Sequence, residues 1–115
     1  MAKKGKQALT QSMYYVLLSL KEERHGYEIM QYVDWLTDGR MTIGPGTLYS
    51  LLSRFEEDAY IKMVSSEDNK KTYLITETGK ERLDAEIQRL ELLLADATRV
   101  KGDIEDEFQN RDELS

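Results

Sequence analysis

The sequence predicts a mostly α-helical fold that carries one small β-hairpin. Apolar residues recur at helical spacing in four segments, which begin near residues 9, 26, 45 and 77. Two short β-prone runs, 61–64 and 72–75, flank seven polar residues, which is the pattern of a hairpin. The fourth helical segment keeps an apolar seam for more than three heptads, which is typical of a long helix that packs on another helix.

Composition narrows the class of protein. The chain has 115 residues, of which 40% are apolar, and this suits one folded domain. It has no cysteine, so disulfides and thiolate metal sites are excluded. Because no apolar run reaches the ~20 residues that span a bilayer and no signal peptide opens the chain, we expect a cytoplasmic protein without a membrane partner.

The excess of negative charge lies in the C-terminal third. The whole chain has 16 basic and 22 acidic residues, whereas residues 1–75 carry 10 of each sign. Two lysine clusters stand in this neutral part: Lys3, Lys4 and Lys6 at the start, then Lys70 and Lys71. Such clusters either attract phosphate or are ordinary solvated lysines.

The first predicted helix is apolar on two faces. Its inner positions are Leu9, Met13, Val16, Leu17 and Leu20, and Thr10 or Ser12 is placed to cap its start. Tyr14, Tyr15 and Leu18 extend the apolar surface to a second face. A short helix that is apolar nearly all round is either central or covered by another chain.

The second predicted helix covers residues 26–36. Its inner stripe is Tyr27, Ile29, Met30, Val33 and Leu36. Trp35 lies off this stripe, on a side that faces a pocket or a second subunit. Residues 37–40 end the helix, and residues 41–43 are predicted to form a short β-like segment.

The third predicted helix starts within residues 44–47, because proline at position 45 suits the first turn of a helix. Its outer face carries Thr47, Tyr49, Ser50, Ser53 and Arg54. These side chains are mostly hydroxyls rather than the Glu/Lys mixture of a solvated face. They suit contact with phosphates and base edges, and a plain polar surface is the alternative.

The fourth helix is predicted to begin after Thr76, which is placed as its N-cap. Its apolar seam consists of Leu83, Ile87, Leu90, Leu94, Ala97, Ile104 and Phe108, and Leu93 and Val100 widen the stripe. A single helix on so small a domain cannot bury this seam. We therefore predict a homodimer interface, with an intramolecular bundle as the alternative.

The order of these elements is that of a winged helix–turn–helix followed by a long dimerisation helix. We expect a flexible basic arm over residues 1–8, a DNA-binding domain over 9–76, a dimerisation helix over 77–108 and a polar tail over 109–115. The third helix would enter the major groove and the hairpin lysines, Lys70 and Lys71, would contact phosphate. A dimer would read two-fold related half-sites of double-stranded DNA.

Three motifs also resemble one family. Residues 25–29 (HGYEI), 46–56 (GTLYSLLSRFE) and 73–83 (YLITETGKERL) resemble the PadR family of bacterial transcriptional regulators. The resemblance covers residues 9–108 and includes a single C-terminal helix, as in the compact branch of the family. It implies a winged-helix homodimer that binds an operator, usually as a repressor, and is released by a small molecule or another signal.

The resemblance also implies specific roles for residues. By position, Thr47, Tyr49, Ser50 and Arg54 are the candidate recognition residues. Ser53 on the same face, the hairpin lysines Lys70 and Lys71, and Lys4 in the N-terminal arm are further candidate DNA contacts. Alternatively, Tyr49 packs on the hairpin or the first helix, and Arg54 pairs with Glu57 or Asp58. The turn at residues 57–60 and the hairpin at 65–71 depart from the family pattern, since they lack glycine and arginine.

A small aromatic effector is the expected ligand. Some members of the compact branch bind flat aromatic compounds between subunits, and Tyr14, Tyr15, Trp35 and Leu93 lie on surplus apolar faces here. We therefore predict an aromatic pocket at the dimer interface, with simple core packing as the alternative.

Catalysis has little support. His25 is the only histidine and precedes the second helix, so a cap or a core hydrogen bond suits it better than a metal site or a catalytic triad. No phosphate-binding glycine loop is present. We expect no enzyme, no cofactor and no metal. The competing functional hypothesis is a winged-helix protein–protein adaptor without specific DNA binding, which the acidic balance favours.

Overall fold

The computed structural model describes the backbone of residues 8–104 and the side chains of residues 8–102. Its helices are α1 (Gln11–Ser19), α2 (Gly26–Leu36), α3 (Pro45–Glu57) and α4 (Glu77–Arg99), and a π-helical turn (Val100–Ile104) follows α4. Its strands are β1 (Arg24–His25), β2 (Ile61–Glu67) and β3 (Lys70–Ile75). The fold class predicted from the sequence is therefore confirmed. Lys3, Lys4, Lys6 and Phe108 lie outside the described residues, as does the side chain of Ile104.

The chain divides into two units, Met1–Ala85 and Glu86–Ser115. In the first unit, the apolar stripes of α1, α2 and α3 form the core together with the sheet. The fully buried side chains of this core include Leu17, Ile29, Val33, Leu48 and Phe55. Burial of each such side chain contributes roughly 1.5–3 kcal/mol, which makes these stripes the main apolar contribution to the packing of the three helices.

Side-chain caps start the helices where the sequence placed them. The Thr10 hydroxyl accepts a hydrogen bond from the Met13 N–H at 3.2 Å and begins α1. His25 begins α2 with a capping box: its Nδ1 accepts from the Glu28 N–H, and the Glu28 carboxylate accepts from the His25 N–H at 3.0 Å. His25 therefore has the capping role predicted for it.

The β-structure differs from the prediction in three ways. The sheet has three strands in the order β1-β3-β2, because Arg24 and His25 pair with Tyr73 and Thr72 of β3. The hairpin is longer than predicted, because Asp68 and Asn69 both take positive φ and make a two-residue turn. The predicted β-like segment at 41–43 is wrong: the Met41 N–H donates to the Thr37 hydroxyl instead of to a strand.

The C-terminal end of α3 is locked by a Schellman turn. The Tyr60 N–H donates to the Phe55 carbonyl at 2.8 Å and the Ala59 N–H donates to the Glu56 carbonyl at 3.0 Å. Ala59 takes the left-handed conformation that this turn requires, with φ 63°. The turn at residues 57–60 lacks glycine, but Ala59 adopts the left-handed backbone conformation that glycine normally takes at this position.

The start of α4 is bonded to that turn. The Thr76 hydroxyl donates to the Ala59 carbonyl at 2.6 Å and accepts from the Gly79 N–H at 3.0 Å. The Thr76 N–H also donates to the Tyr60 carbonyl at 2.9 Å. Thr76 is the predicted N-cap, and it fixes the end of α3 to the first turn of α4.

The second unit is largely exposed along α4. Leu92, Leu93 and Leu94 are 68%, 52% and 67% exposed, and Val100 is 51% exposed. Arg89 makes two hydrogen bonds to the carboxylate of Glu86, one turn earlier. Among the helices that the structure describes, none has the length and apolar character needed to cross a bilayer.

Candidate nucleic-acid interface

The outer face of α3 is exposed, as the sequence predicts. Thr47, Tyr49, Ser50, Ser53 and Arg54 are all exposed, whereas Leu48, Leu52 and Phe55 on the opposite face are buried. Pro45 occupies the first turn, after Gly44 as N-cap. The structure thus brings the five predicted recognition residues onto one accessible surface.

Acidic residues lie at one end of that surface, although the outer face predicted from the sequence contains none. Glu56, Glu57 and Asp58 are exposed at the C-terminal end of α3. Among the described residues, the ion pairs do not include Arg54, so the predicted alternative pairing with Glu57 or Asp58 is not formed. The Arg54 guanidinium remains available to another partner.

A groove of about 580 Å³ lies between α3 and the β-hairpin. Tyr49, Leu52, Ser53 and Glu56 line it from α3, where their spacing of three and four residues forms one stripe. The remaining lining comes from the start of α2 and from the hairpin: His25, Gly26, Tyr27, Asn69, Lys70, Lys71 and Tyr73. We name this site the α3–hairpin groove.

Tyr27 is the lining residue that the sequence analysis placed wrongly. Helical spacing put it on the inner stripe of α2, but its side chain is 62% exposed and lines the α3–hairpin groove. It is in the first turn of α2, immediately after Gly26. Helical spacing places Tyr27 relative to the core residues of α2 only. It could not predict that the first turn of α2 borders a groove formed by α3 and the hairpin.

Tyr49 lies over the start of α2. A β-carbon built on Gly26 would be 2.6 Å from the Tyr49 hydroxyl oxygen and 3.1 Å from its ring carbon Cζ. The side chain nevertheless stays 54% exposed. Tyr49 therefore packs on the start of α2, not on the first helix as the alternative expected, and it also lines the groove beside the hairpin.

The floor of the groove contains Tyr73, which is 6% exposed. Burial, followed by the nearby charges of Glu56 and Tyr49, raises the pKa of the Tyr73 hydroxyl above its ordinary value. Glu56 of α3 and Tyr73 of β3 thus line one groove, and the Glu56 charge favours the neutral phenol.

The hairpin lysines occupy strand positions rather than the turn. Lys70 and Lys71 begin β3 and are both exposed, and Lys71 lies on the same face of the strand as Tyr73. Both lysines line the α3–hairpin groove. They are therefore closer to the recognition helix than residues at a loop tip would be.

A second groove, of about 980 Å³, borders the other side of α3. Ser50, Ser53, Arg54 and Glu57 line it from α3, again at spacings of three and four residues. Residues 8–10 and Met13 line it from the N-terminal side, and Thr78 and Arg82 line it from α4. The accessible face of α3 thus lies between two grooves that share Ser53.

The predicted effector residues fall into separate groups. Tyr14 and Tyr15 are half-buried on α1 and pack edge to face, with ring centroids 5.2 Å apart. Trp35 is 69% exposed on α2 and packs against Tyr32, whose ring also lies 3.8 Å from the Arg24 guanidinium carbon. Leu93 is exposed in the second unit.

Part of the predicted dimer seam is exposed. Leu83 is 1% exposed and therefore buried within its own chain, and Ile87 is half-buried. Leu90, Leu94 and Ala97 are exposed. The apolar surface that a partner could cover thus begins near residue 90.

Within the described residues, no group of three acidic or histidine side chains is arranged to hold a metal ion.

Comparison with known proteins identifies the architecture. The profile of the transcriptional regulator PadR-like family matches residues 16–85, which include α2, α3 and the hairpin. Among solved structures, the chain is similar to a transcriptional regulator from Clostridium thermocellum, with a TM-score of 0.64 and 26% identity, covering 84% of this chain and 94% of that one. A PadR-like transcription factor from Bacteroides fragilis gives a TM-score of 0.63 at 26% identity, with coverage of 77% and 88%.

Two curated relatives are similar in sequence to part of the chain. Transcriptional regulator YqjI of Escherichia coli (strain K12) is 30% identical over 73 residues, which are 64% of this chain and 35% of that protein. An uncharacterised protein of Lysinibacillus sphaericus is 37% identical over 67 residues, which are 55% of this chain and 62% of that one. The matched region thus spans about a third and about three fifths of these two relatives.

Proposed function

Because the chain belongs to the transcriptional regulator PadR-like family, we propose that it is a sequence-specific DNA-binding regulator that acts as a homodimeric repressor. One observation supports this most strongly: the exposed face of α3 is rich in hydroxyls and carries Arg54, which forms no ion pair within residues 8–102, and a lysine-bearing hairpin stands beside it. Hydroxyls, arginine and lysine are the side chains that contact phosphates and base edges in such complexes.

The roles of the individual residues follow from the two grooves. Thr47, Ser50 and Arg54 are the proposed base-reading residues of α3, because a recognition helix reads the major groove with its exposed face. Lys70 and Lys71 are the proposed phosphate contacts. Tyr49 and Ser53 border the hairpin side and contribute hydroxyl donors.

The proposed dimer uses the exposed part of α4. Leu90, Leu94 and Ala97 repeat at the spacing of a helix-on-helix seam. A charge within this seam should separate the subunits, so Leu94→Glu is expected to give a monomer in sedimentation velocity at micromolar concentration. Glu91→Gln, on an exposed position outside the seam, is the matched control and should stay dimeric. A wild-type monomer at that concentration would contradict the proposal.

Selection from a library of random duplex DNA tests the regulatory function directly. The proposal expects enrichment of two-fold related half-sites about one helical turn apart. Arg54→Ala should relax the preference at specific base positions, whereas Lys71→Ala should weaken all sequences alike and lower the salt slope by roughly 0.9 for each subunit bound.

The same experiment separates the adaptor hypothesis, which the exposed acids at the end of α3 favour. If no motif is enriched and binding does not discriminate among duplexes, the sequence-specific function is wrong.

Release by a small aromatic effector is a further part of the proposal, with Tyr14, Tyr15, Trp35 and Leu93 as candidate residues. Its test is quenching of the single tryptophan by planar aromatic compounds in parallel with loss of the DNA complex.

A further inference from the structure

The α3–hairpin groove presents hydrogen-bond donors from three separate parts of the chain. Tyr27 from α2 and Tyr49 from α3 are exposed phenols, and Lys70 and Lys71 are exposed cations on β3. Phenol O–H groups and ammonium groups both donate to phosphate oxygens. Glu56 is the only carboxylate among the residues that line this groove.

We propose that the α3–hairpin groove holds one backbone phosphate of the bound DNA and that Glu56 limits the strength of this contact. The inference rests on the proposed DNA-binding function and names two residues, Tyr27 and Glu56, that the sequence did not single out. Because phosphate contacts do not depend on base sequence, Tyr27 and Glu56 would change the affinity for all DNA sequences by the same factor and leave the sequence preference unchanged.

The packing of Tyr49 on Gly26 supports the donor half of the proposal. The Tyr49 hydroxyl lies close to Gly26, the residue that precedes Tyr27. Both tyrosines line the groove. A glycine at position 26 is what permits this approach. Both phenols line the groove together with the lysines, so each can donate a hydrogen bond to a phosphate that enters it.

The position of Glu56 supports the limiting half. Glu56 lies two turns after Tyr49 on the same stripe of α3 and faces the hairpin. Tyr73 lines the same groove, and the charge of Glu56 is, after burial, a cause of the raised pKa of its hydroxyl. Among the described residues, the ion pairs do not join Glu56 to Lys70 or Lys71. A phosphate in this groove would therefore meet the repulsion of an unneutralised carboxylate.

Two substitutions of opposite sign test the proposal. Glu56→Gln should tighten binding to both a selected operator and an unrelated duplex by the same factor, roughly threefold or more at low salt. Tyr27→Phe should weaken binding to both by a shared factor of about ten or more, because a donor to a charged oxygen is lost. Fluorescence anisotropy with the full chain and both duplexes measures these factors. A gain in affinity cannot arise from a folding defect.

Glu57→Gln is the matched control. Glu57 is the next residue on α3, carries the same charge and lines the groove on the other side of the helix. If Glu57→Gln tightens binding as much as Glu56→Gln, the effect is one of total charge and the proposal is overturned. An unchanged affinity in Glu56→Gln, or a loss in Tyr27→Phe confined to one sequence, would also overturn it.

Substitution of single phosphates by methylphosphonates locates the contact. For the wild-type protein, neutralising the phosphate held in this groove, at one position in each half-site, should weaken binding, and at these positions Tyr27→Phe should cause no further loss. Loss spread evenly over all positions would overturn the single-phosphate site. If wild-type protein binds selected operators while these variants behave otherwise than expected, only this inference fails. Absence of any DNA complex would remove the proposed function as well.

Discussion

The Cα of Gly79 packs directly against the backbone carbonyl of Tyr60. A β-carbon built at Gly79 would lie 3.0 Å from the Tyr60 carbonyl carbon, closer still to its oxygen, and 2.7 Å from Cγ1 of Ile75. The same carbonyl oxygen accepts the Thr76 N–H. The first turn of α4 is therefore seated on the turn that ends α3, and glycine is needed there for space.

Gly79→Ala is expected to destabilise the fold. Alanine normally gains about 1 kcal/mol over glycine within a helix, but here its methyl group overlaps backbone atoms that cannot move alone. We expect a net loss of about 2–3 kcal/mol in the free energy of unfolding, measured by urea denaturation. Gly102→Ala is the control, because a β-carbon there meets nothing within 4 Å. Equal stability of Gly79→Ala and wild type would contradict the packing.

Ala59→Gly is expected to stabilise the fold. Ala59 has φ 63°, a left-handed conformation that costs an L-residue roughly 1 kcal/mol and glycine almost nothing. The hydrogen bonds of this turn involve backbone atoms of residue 59, so they survive the substitution. The thermal midpoint should rise by several degrees for a domain of this size.

Asp58→Gly distinguishes this effect from a general response to glycine. Asp58 is the C-cap of α3 with φ −83°, where glycine relieves no strain and adds freedom to the unfolded chain. It should therefore lower the midpoint. A fall in the midpoint of Ala59→Gly would show that the left-handed turn is not present in solution.

Local signals explain how much of the fold the sequence predicts. The bounds of α2 and the start of α3 follow from residues in contact with the helix ends themselves, such as His25 and Pro45. Strand β1 could not be predicted in this way. It consists of two residues whose strand geometry comes from pairing with Tyr73 and Thr72, nearly fifty positions away.

The candidate site is predictable only in part, for the same reason. The exposed hydroxyl face lies within one helix, so its period reveals it. The α3–hairpin groove draws its lining from residues near 26, 53 and 71, and no single period connects them. The hairpin lysines were also displaced from the expected loop, because the two-residue turn at Asp68 and Asn69 extends both strands.

Gly26→Ala is expected to affect DNA binding more than stability. The added methyl group would meet the Tyr49 hydroxyl first, and this is the far end of a side chain that is half exposed and free to turn away. The free energy of unfolding should change by less than about 1 kcal/mol. DNA affinity should fall, because the Tyr49 hydroxyl leaves the border of the groove. Tyr49→Phe removes the same hydroxyl and should lower DNA affinity by a similar factor.

A double variant tests that Gly26→Ala acts through Tyr49. In a Tyr49→Phe background, Gly26→Ala should cause little further loss of DNA affinity, which anisotropy titration of the four proteins measures. Additive losses would indicate that Gly26 acts by another route. Gly102→Ala is the control, because a β-carbon there meets nothing within 4 Å. Gly46→Ala is unsuitable because residue 46 is exposed on α3, the helix proposed to contact DNA.

Tyr73 is expected to make stability fall at alkaline pH. Burial, then the charges of Glu56 and Tyr49, raises the pKa of its hydroxyl in the folded state above the ordinary value of 10.0. The folded chain therefore holds this proton more tightly than the unfolded chain. This contribution to stability is fully present below pH 10.0 and is lost as pH rises through the folded-state pKa.

Comparison of wild type with Tyr73→Phe isolates this contribution. The difference in urea midpoint between the two proteins should be constant at neutral pH and change in favour of Tyr73→Phe above about pH 10. Glu56→Gln should reduce the alkaline loss without abolishing it, since burial is the larger cause of the shift and remains. A difference in midpoint that stays constant from neutral pH to about pH 11 would show that Tyr73 titrates alike in both states.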